Sequence, residues 1–320
     1  MTKEQESPDK SVAPRESQIW AIAGGKGGTG KTFLVSGIAT YLAKKQNRVT
    51  MVDLDLGGAN LHSFFGLTTL RPSLTTFFEF GSRLDELSFP TGIENLSLVT
   101  GNAESMTSGS IKFSQKLKLY RQMAKLNTQY MIVDLGAGCH PNTLDTFIIA
   151  DRMITVMVPE ITSAENMYVF IKNALFRKVK AALKGPQFKN LVRDTWDRRE
   201  SLCLRNIKDL IDHIRYHSPE ADEKLGRELA GFKIHILVNM TRDHKDIALG
   251  FAVKSVLQKY LGLDASYAGM VEHDDAVRQS VREARPFMLN HMSSPCTKQI
   301  EDLTENIVQG RDVRLPGLQS

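Results

Sequence analysis

Short apolar runs alternate with longer stretches whose apolar positions recur at helical spacing along most of this chain. The runs are Ile19–Ala23, Arg48–Asp53, Leu96–Thr100, Tyr130–Asp134, Arg152–Val158, Lys233–Asn239 and Ser266–Val271. They are too short for helices and apolar at successive positions, so they read as strands buried on both faces. Between them lie helical patterns. Phe33–Lys45 carries Leu34, Ile38, Tyr41 and Leu42, with Ala39 and Ala43 for close packing and Asn47 as the stop. Pro72–Phe80 reads as a short helix. Ile111–Leu126 reads as a basic amphipathic helix packing Phe113, Leu117, Tyr120 and Ala124, with its lysines in solvent. A helix from about Ala164, capped by Ser163, packs Met167, Phe170, Ile171, Ala174 and Leu175, and another spans Ile247–Leu261. Strand and helix units alternate from residue 18 to about 285. That order predicts an α/β fold, a doubly wound and mostly parallel sheet with helices on both faces.

The first strand runs into Gly24-Gly-Lys-Gly-Gly-Thr-Gly-Lys-Thr32, and a helix follows. Strand, glycine loop and helix in that order are the setting of the G-x-x-x-x-G-K-[ST] phosphate loop, here Gly25–Thr32. Gly25, Gly27, Gly28, Thr29 and Gly30 let backbone N–H groups face phosphates. Lys31 reaches the outer phosphates, Thr32 offers a hydroxyl to Mg²⁺, and the helix N-terminus adds its positive end. ATP with Mg²⁺ is the expected ligand. Two more strands end on carboxylates, Asp53 with Asp55 just beyond it, and Asp134. Carboxylates at strand C-termini lie on the ligand edge of an open sheet, where they hold a metal or orient water.

Lys26 is a second lysine inside the loop. With it, K-G-G-x-G-K-T resembles the deviant Walker A motif of the MinD/ParA ATPases, and D-x-D-x-G-x-x-N (Asp53–Asn60) and D-x-G-A-G (Asp134–Gly138) resemble their switches, nearest to the MinD/FlhG-like branch. The resemblance implies a P-loop NTPase fold and an ATP-dependent homodimer in which Lys26 reaches the partner's nucleotide. It also implies that Lys31 serves its own site, that Asp55 orients the hydrolytic water, and that Thr32, Asp53 and Asp134 form the Mg²⁺ shell. Asn60 would be the switch asparagine, and Asn239 would read adenine. Relatives usually have proline where this chain has Glu272. The implied output is spatial positioning of a flagellum, pole or division site, through an activator or cargo that the sequence does not name.

Composition narrows this picture. The chain has 320 residues, 42% hydrophobic and 24% charged, which suits a folded α/β protein. Cys139, Cys203 and Cys296 are far apart, so disulfide and metal-cluster frameworks lack support, as does a reductase or metal-inserting relative. Without an apolar run of spanning length or a hydrophobic leader, a cytoplasmic protein is expected, peripheral at most to membrane or nucleoid. Residues 1–17 read as a flexible arm, 18–292 as the ATPase domain and 293–320 as a C-terminal helix and tail. Relatives pass quickly from the helix near Ala174 to the strand near Leu237, whereas here a helical insertion occupies about 184–232. His213 and His217 in it read as a surface pair.

Net charge is +5, yet residues 172–205 hold ten basic against three acidic residues. Non-specific DNA binding there, of the ParA partitioning kind, and a solvated helix face fit equally. Ile300, Leu303 and Ile307 share a face in the last helix. Glu301, Asp302 and Glu305 give that helix the wrong sign for anionic lipid, so a membrane anchor is not supported.

Overall fold

The computed structural model describes residues 17–68, 72–101, 111–188 and 190–313. The arm expected at 1–17, apart from Ser17, and the end of the tail lie outside them. Eight strands form one sheet: β1 (Gln18–Ala23), β2 (Val49–Asp53), β3 (Ser88–Pro90), β4 (Leu96–Val99), β5 (Tyr130–Asp134), β6 (Arg152–Met157), β7 (Ile234–Thr241) and β8 (Ser266–Glu272). Their spatial order is β3-β4-β2-β5-β1-β6-β7-β8. All neighbours run parallel except β3, which pairs antiparallel with β4. The chain first winds to one side of β1 and then to the other. The crevice beyond the C-terminal end of β1 is therefore a switch point, where ligands bind in such sheets.

The apolar runs split by period two. In β1, Trp20 and Ile22 enter one face of the sheet and Ala21 and Ala23 the other. The first face is covered by α1 (Lys31–Lys44), α11 (Phe287–Asn290) and α12 (Pro295–Gln309), with α10 (Asp275–Arg282) along its edge. The second is covered by α2 (Leu74–Phe80), α3 (Phe113–Met123), α4 (Pro141–Phe147), α5 (Ile161–Ala182), α6 (Leu191–Asp197), α7 (Ile207–His217), α8 (Pro219–Ala230) and α9 (His244–Leu261).

Several expectations are corrected. The helix after β6 starts at Ile161 with Glu160 at its N-cap, and the Ser163 hydroxyl instead accepts the Val158 N–H at 3.1 Å. In α3, Leu119, Met123 and Lys116 are buried, while Leu117 and Ala124 are exposed. Lys116 is not solvated because the Asp145 carboxylate of α4 compensates its charge. Strand β3 and helix α4 were not expected; one is three residues long and contains proline, the other seven with Pro141 in its first turn. The segment expected as an insertion is helical, and its Phe188, Val192, Ile207, Leu210 and Leu225 join the core of that face. Likewise α12 is not set apart. Ile300, Leu303 and Ile307 are buried against α1 and β8, so that face is core and unavailable to a membrane. Among the described residues no helix is long and apolar enough to cross a membrane.

Candidate functional site

The loop Gly24–Gly30 leaves β1 and turns into α1. Gly28 and Gly30 take φ of 77° and 83°, which side chains resist. Gly25 is required by closeness instead: a Cβ there would lie 2.1 Å from the Asn166 carbonyl oxygen of α5. The loop is thus seated on α5. Gly138 N–H also donates to the Gly24 carbonyl at 3.1 Å, joining the loop after β5 to the loop after β1.

Lys31, Asp53 and Asp134 come together at the strand ends. Asp53 and Asp134 are register partners on β2 and β5, each almost fully buried. Asp53 accepts the N–H groups of Asp55 and Leu61, both at 3.1 Å. Burial nevertheless pushes its carboxyl up, outweighing those bonds. Asp134 is pushed further, by burial and then by the charge of Asp53, although a hydrogen bond from Thr32 and the charge of Lys31 oppose this. Its Oδ1 has no partner. Burial lowers Lys31 against the pull of Asp134 and Asp55. Two buried carboxylates, one with an orphaned oxygen, beside a threonine hydroxyl fit a hard cation that keeps waters and takes phosphate oxygens for its remaining ligands. Thr32, Asp53 and Asp134 are therefore suited to Mg²⁺.

Asp55 lies just outside this pair. Its carboxylate makes no hydrogen bond among the described residues, and a Cβ on Gly136 would stand 3.1 Å from its Oδ1. It lines a cavity of about 200 Å³ between the loops after β2 and β5. Asn60 is exposed; its backbone N–H contributes to holding Asp53. His140 caps α4, its ring accepting the Asn142 N–H at 3.4 Å.

Two expected residues sit differently. Asn239 does not end its strand; β7 continues through a bulge at Met240 (φ 59°) to Thr241. Its amide nitrogen donates to the Thr29 carbonyl at 2.9 Å, so in this structure it braces the phosphate loop. Lys26 pairs with Glu160 of its own chain at 2.9 Å, both about half exposed. Glu160 was missed by sequence reading. Its signal, an acid directly after the strand that flanks β1, was visible but tied to nothing until the fold set it beside the loop.

In the basic segment, Arg177, Lys178, Arg193 and Arg199 are in ion pairs with Asp145, Glu228, Asp194 and Glu200. That leaves less free charge for phosphate contact than the sequence implied. Lys189 lies outside the described residues. The His213 and His217 rings lie 4.3 Å apart between centroids, tilted by 51°, and among the described residues no group of three or more metal-type ligands gathers anywhere.

Comparison with known proteins agrees with this geometry. Residues 20–287 match the CobQ/CobB/MinD/ParA nucleotide binding domain. Antiactivator FleN of Pseudomonas aeruginosa is 22% identical over 84% of this chain and 78% of its own length. The flagellum site-determining protein YlxH of Helicobacter pylori is 29% identical over 48% of this chain and 52% of its own. The cell division ATPase MinD of Pyrococcus furiosus superposes with a TM-score of 0.60 at 18% identity, covering 92% of this chain and 99% of that one. A ParA family ATPase from Chlorobium tepidum gives 0.59 at 16% identity, over 91% and 98%. At such identities the likeness to these two structures is one of fold.

Proposed function

The chain belongs to the CobQ/CobB/MinD/ParA nucleotide-binding family, and from that premise we propose that it is a Mg²⁺-dependent ATPase that pairs with a second copy on ATP and separates after hydrolysis. Its output is the positioning of a cell structure, of the kind the flagellum site-determining YlxH and the septum site-determining MinD are named for, through a protein partner. The observation that carries the reading is Lys26. It stands at the rim of the loop with its ammonium on an exposed carboxylate, while Lys31 alone serves the buried site. A cation so placed is available to a nucleotide held by another copy.

The residues divide the work. N–H groups of Gly27, Gly28 and Gly30 and the N-terminus of α1 receive the phosphates. Lys31 neutralises their charge from a desolvated position, where its field is stronger than in water. Thr32, Asp53 and Asp134 hold Mg²⁺, which when bound offsets the charge that develops on the phosphate oxygens. Asp55 accepts a hydrogen bond from the attacking water and fixes its direction. Gly136 leaves the space for that carboxylate, and the Gly138–Gly24 hydrogen bond lets the loop after β5 respond to the phosphates.

The test is mass measured by light scattering in Mg-ADP and Mg-ATP, with Asp55→Ala alongside wild type. The variant should remain a dimer in ATP and lose hydrolysis by two or more orders of magnitude. A variant that stays monomeric in ATP, or turns over at the wild-type rate, would overturn the reading.

A further inference from the structure

The cavity of about 200 Å³ beside Asp55 is closed by α3 and α4 and by the loops after β2 and β5. Its inner end is buried, at Lys116, Leu119 and Thr143, and its mouth is exposed, at Gly57, Ala137 and His140. Two of its lining residues border the proposed ATP site. Asp55 follows Asp53 by two residues, with its N–H on the Asp53 carboxylate at 3.1 Å, and Gly136 follows Asp134 by two. The cavity therefore shares a wall with the site of hydrolysis and opens to solvent at its other end. In the dimer proposed above, a second copy covers the phosphate loop, and ADP still fills that loop after cleavage. The recess between the two loops is the side left open.

Its polar groups are of both signs. At the inner end Lys116 and Arg177 share the single carboxylate of Asp145, so the cluster keeps a net positive charge, which favours an anion in the cavity. Lys116 uses one of its three donors on Asp145. The Thr143 hydroxyl makes no hydrogen bond among the described residues, and neither does the Asp55 carboxylate, though both residues line the cavity. The remaining hydroxyls are engaged: Tyr120 and Thr146 meet at 3.0 Å, and Thr146 donates to the Asn142 carbonyl at 3.0 Å. The ligand that fits is an anion that accepts from Lys116 and Thr143 and still carries an O–H to give to Asp55.

We propose that this cavity is a holding site for orthophosphate, the second product, on its way out past Asp55 and Gly136. Cleavage breaks the bond between the γ-phosphorus and the bridging oxygen, which stays with ADP. A bond forms from the water oxygen to phosphorus, and both water hydrogens end on the phosphate. The product is dihydrogen phosphate, an anion with acceptors for Lys116 and Thr143 and a donor for Asp55. This inference rests on the ATPase reading above and adds to it where the phosphate goes.

Isothermal titration of inorganic phosphate into the full chain tests it, once with Mg-ADP bound and once with Mg²⁺ and a non-hydrolysable ATP analogue. One equivalent should bind in both, because the analogue fills the γ-phosphate position and leaves the cavity. The Kd should be on the order of 1 mM, as suits a product that has to leave. Thr143→Val keeps the shape of the side chain and removes its donor, and should weaken phosphate about fivefold to tenfold. Ala137→Leu puts a larger side chain at the exposed mouth and should abolish binding. Thr143→Val removes no hydrogen bond and Ala137 is exposed, so both variants should melt near the wild-type temperature. Phosphate that binds with Mg-ADP but not with the analogue sits in the γ position, which overturns the proposal. So does phosphate that binds in neither complex, or with wild-type affinity in both variants. These outcomes leave the ATPase reading standing. If ATP itself fails to bind in a parallel titration, that reading falls and this inference with it.

Discussion

Lys26 cannot serve a second copy while it is paired at home. Its bond to Glu160 is an exposed ion pair, of a kind that contributes a few tenths to one kcal/mol. The effect is small for one chain, but a symmetric dimer requires two such bonds to be broken. Glu160→Gln should therefore lower the protein concentration at which the ATP dimer forms by a few-fold to about thirtyfold, the square of the single-pair effect. Light scattering across a dilution series measures the midpoint. A midpoint that stays put, or rises, means that Glu160 does not restrain the lysine.

At the scale of elements, α5 is the connecting member. Its N-terminal turn carries Glu160 and, one turn on, the Asn166 carbonyl that seats Gly25. Farther along the same helix, Arg177 meets Asp145 of α4, and Lys116 of α3 meets the same carboxylate. Burial pushes the Asp145 carboxyl up, but Arg177 and Lys116 together hold it below the usual carboxylate range. Three helices thus share one charge, directly behind the loop Leu135–His140. Lys178 links the same helix to α8 through Glu228. Asp145→Asn leaves Lys116, which is largely buried, without its counter-ion. About 2 kcal/mol of stability should be lost, read as a lower urea midpoint at unchanged slope. A loss under about 0.5 kcal/mol would mean that the cluster is solvated like an ordinary surface pair.

For the molecule as a whole, acid sensitivity has an identifiable source. His235 of β7 is 3% exposed, and neither ring nitrogen has a partner. Burial, aided by the charges of Arg152 and Lys233, pushes it down to about 4. The unfolded chain takes up this proton near pH 6.5, before the folded one does. The contribution of the neutral ring is therefore intact above about pH 6.5 and lost progressively as pH falls toward about 4, amounting to about 3 kcal/mol. Urea unfolding at pH 7, 5.5 and 4.5 should show that decline in wild type and a shallower one in His235→Leu. Equal slopes would assign the acid sensitivity to other groups.

Sequence alone determined the sheet class, the strand-loop-helix unit at Gly25–Thr32 and the carboxylates that share its edge. These are local facts: period-two and helical spacing, glycine where side chains do not fit, and acids at strand ends. Helix starts drifted by a few residues, because caps depend on neighbours rather than on period. Tertiary structure decided whatever depends on distance in space between residues far apart in the chain. It set Glu160 beside Lys26, Asn166 against Gly25, and Asn239 under the Thr29 carbonyl. It buried Lys116 by supplying Asp145, and it turned the apolar stripe of the last helix into core. None of these pairings has a signature in spacing, because each partner reaches the other through the strand order of the sheet.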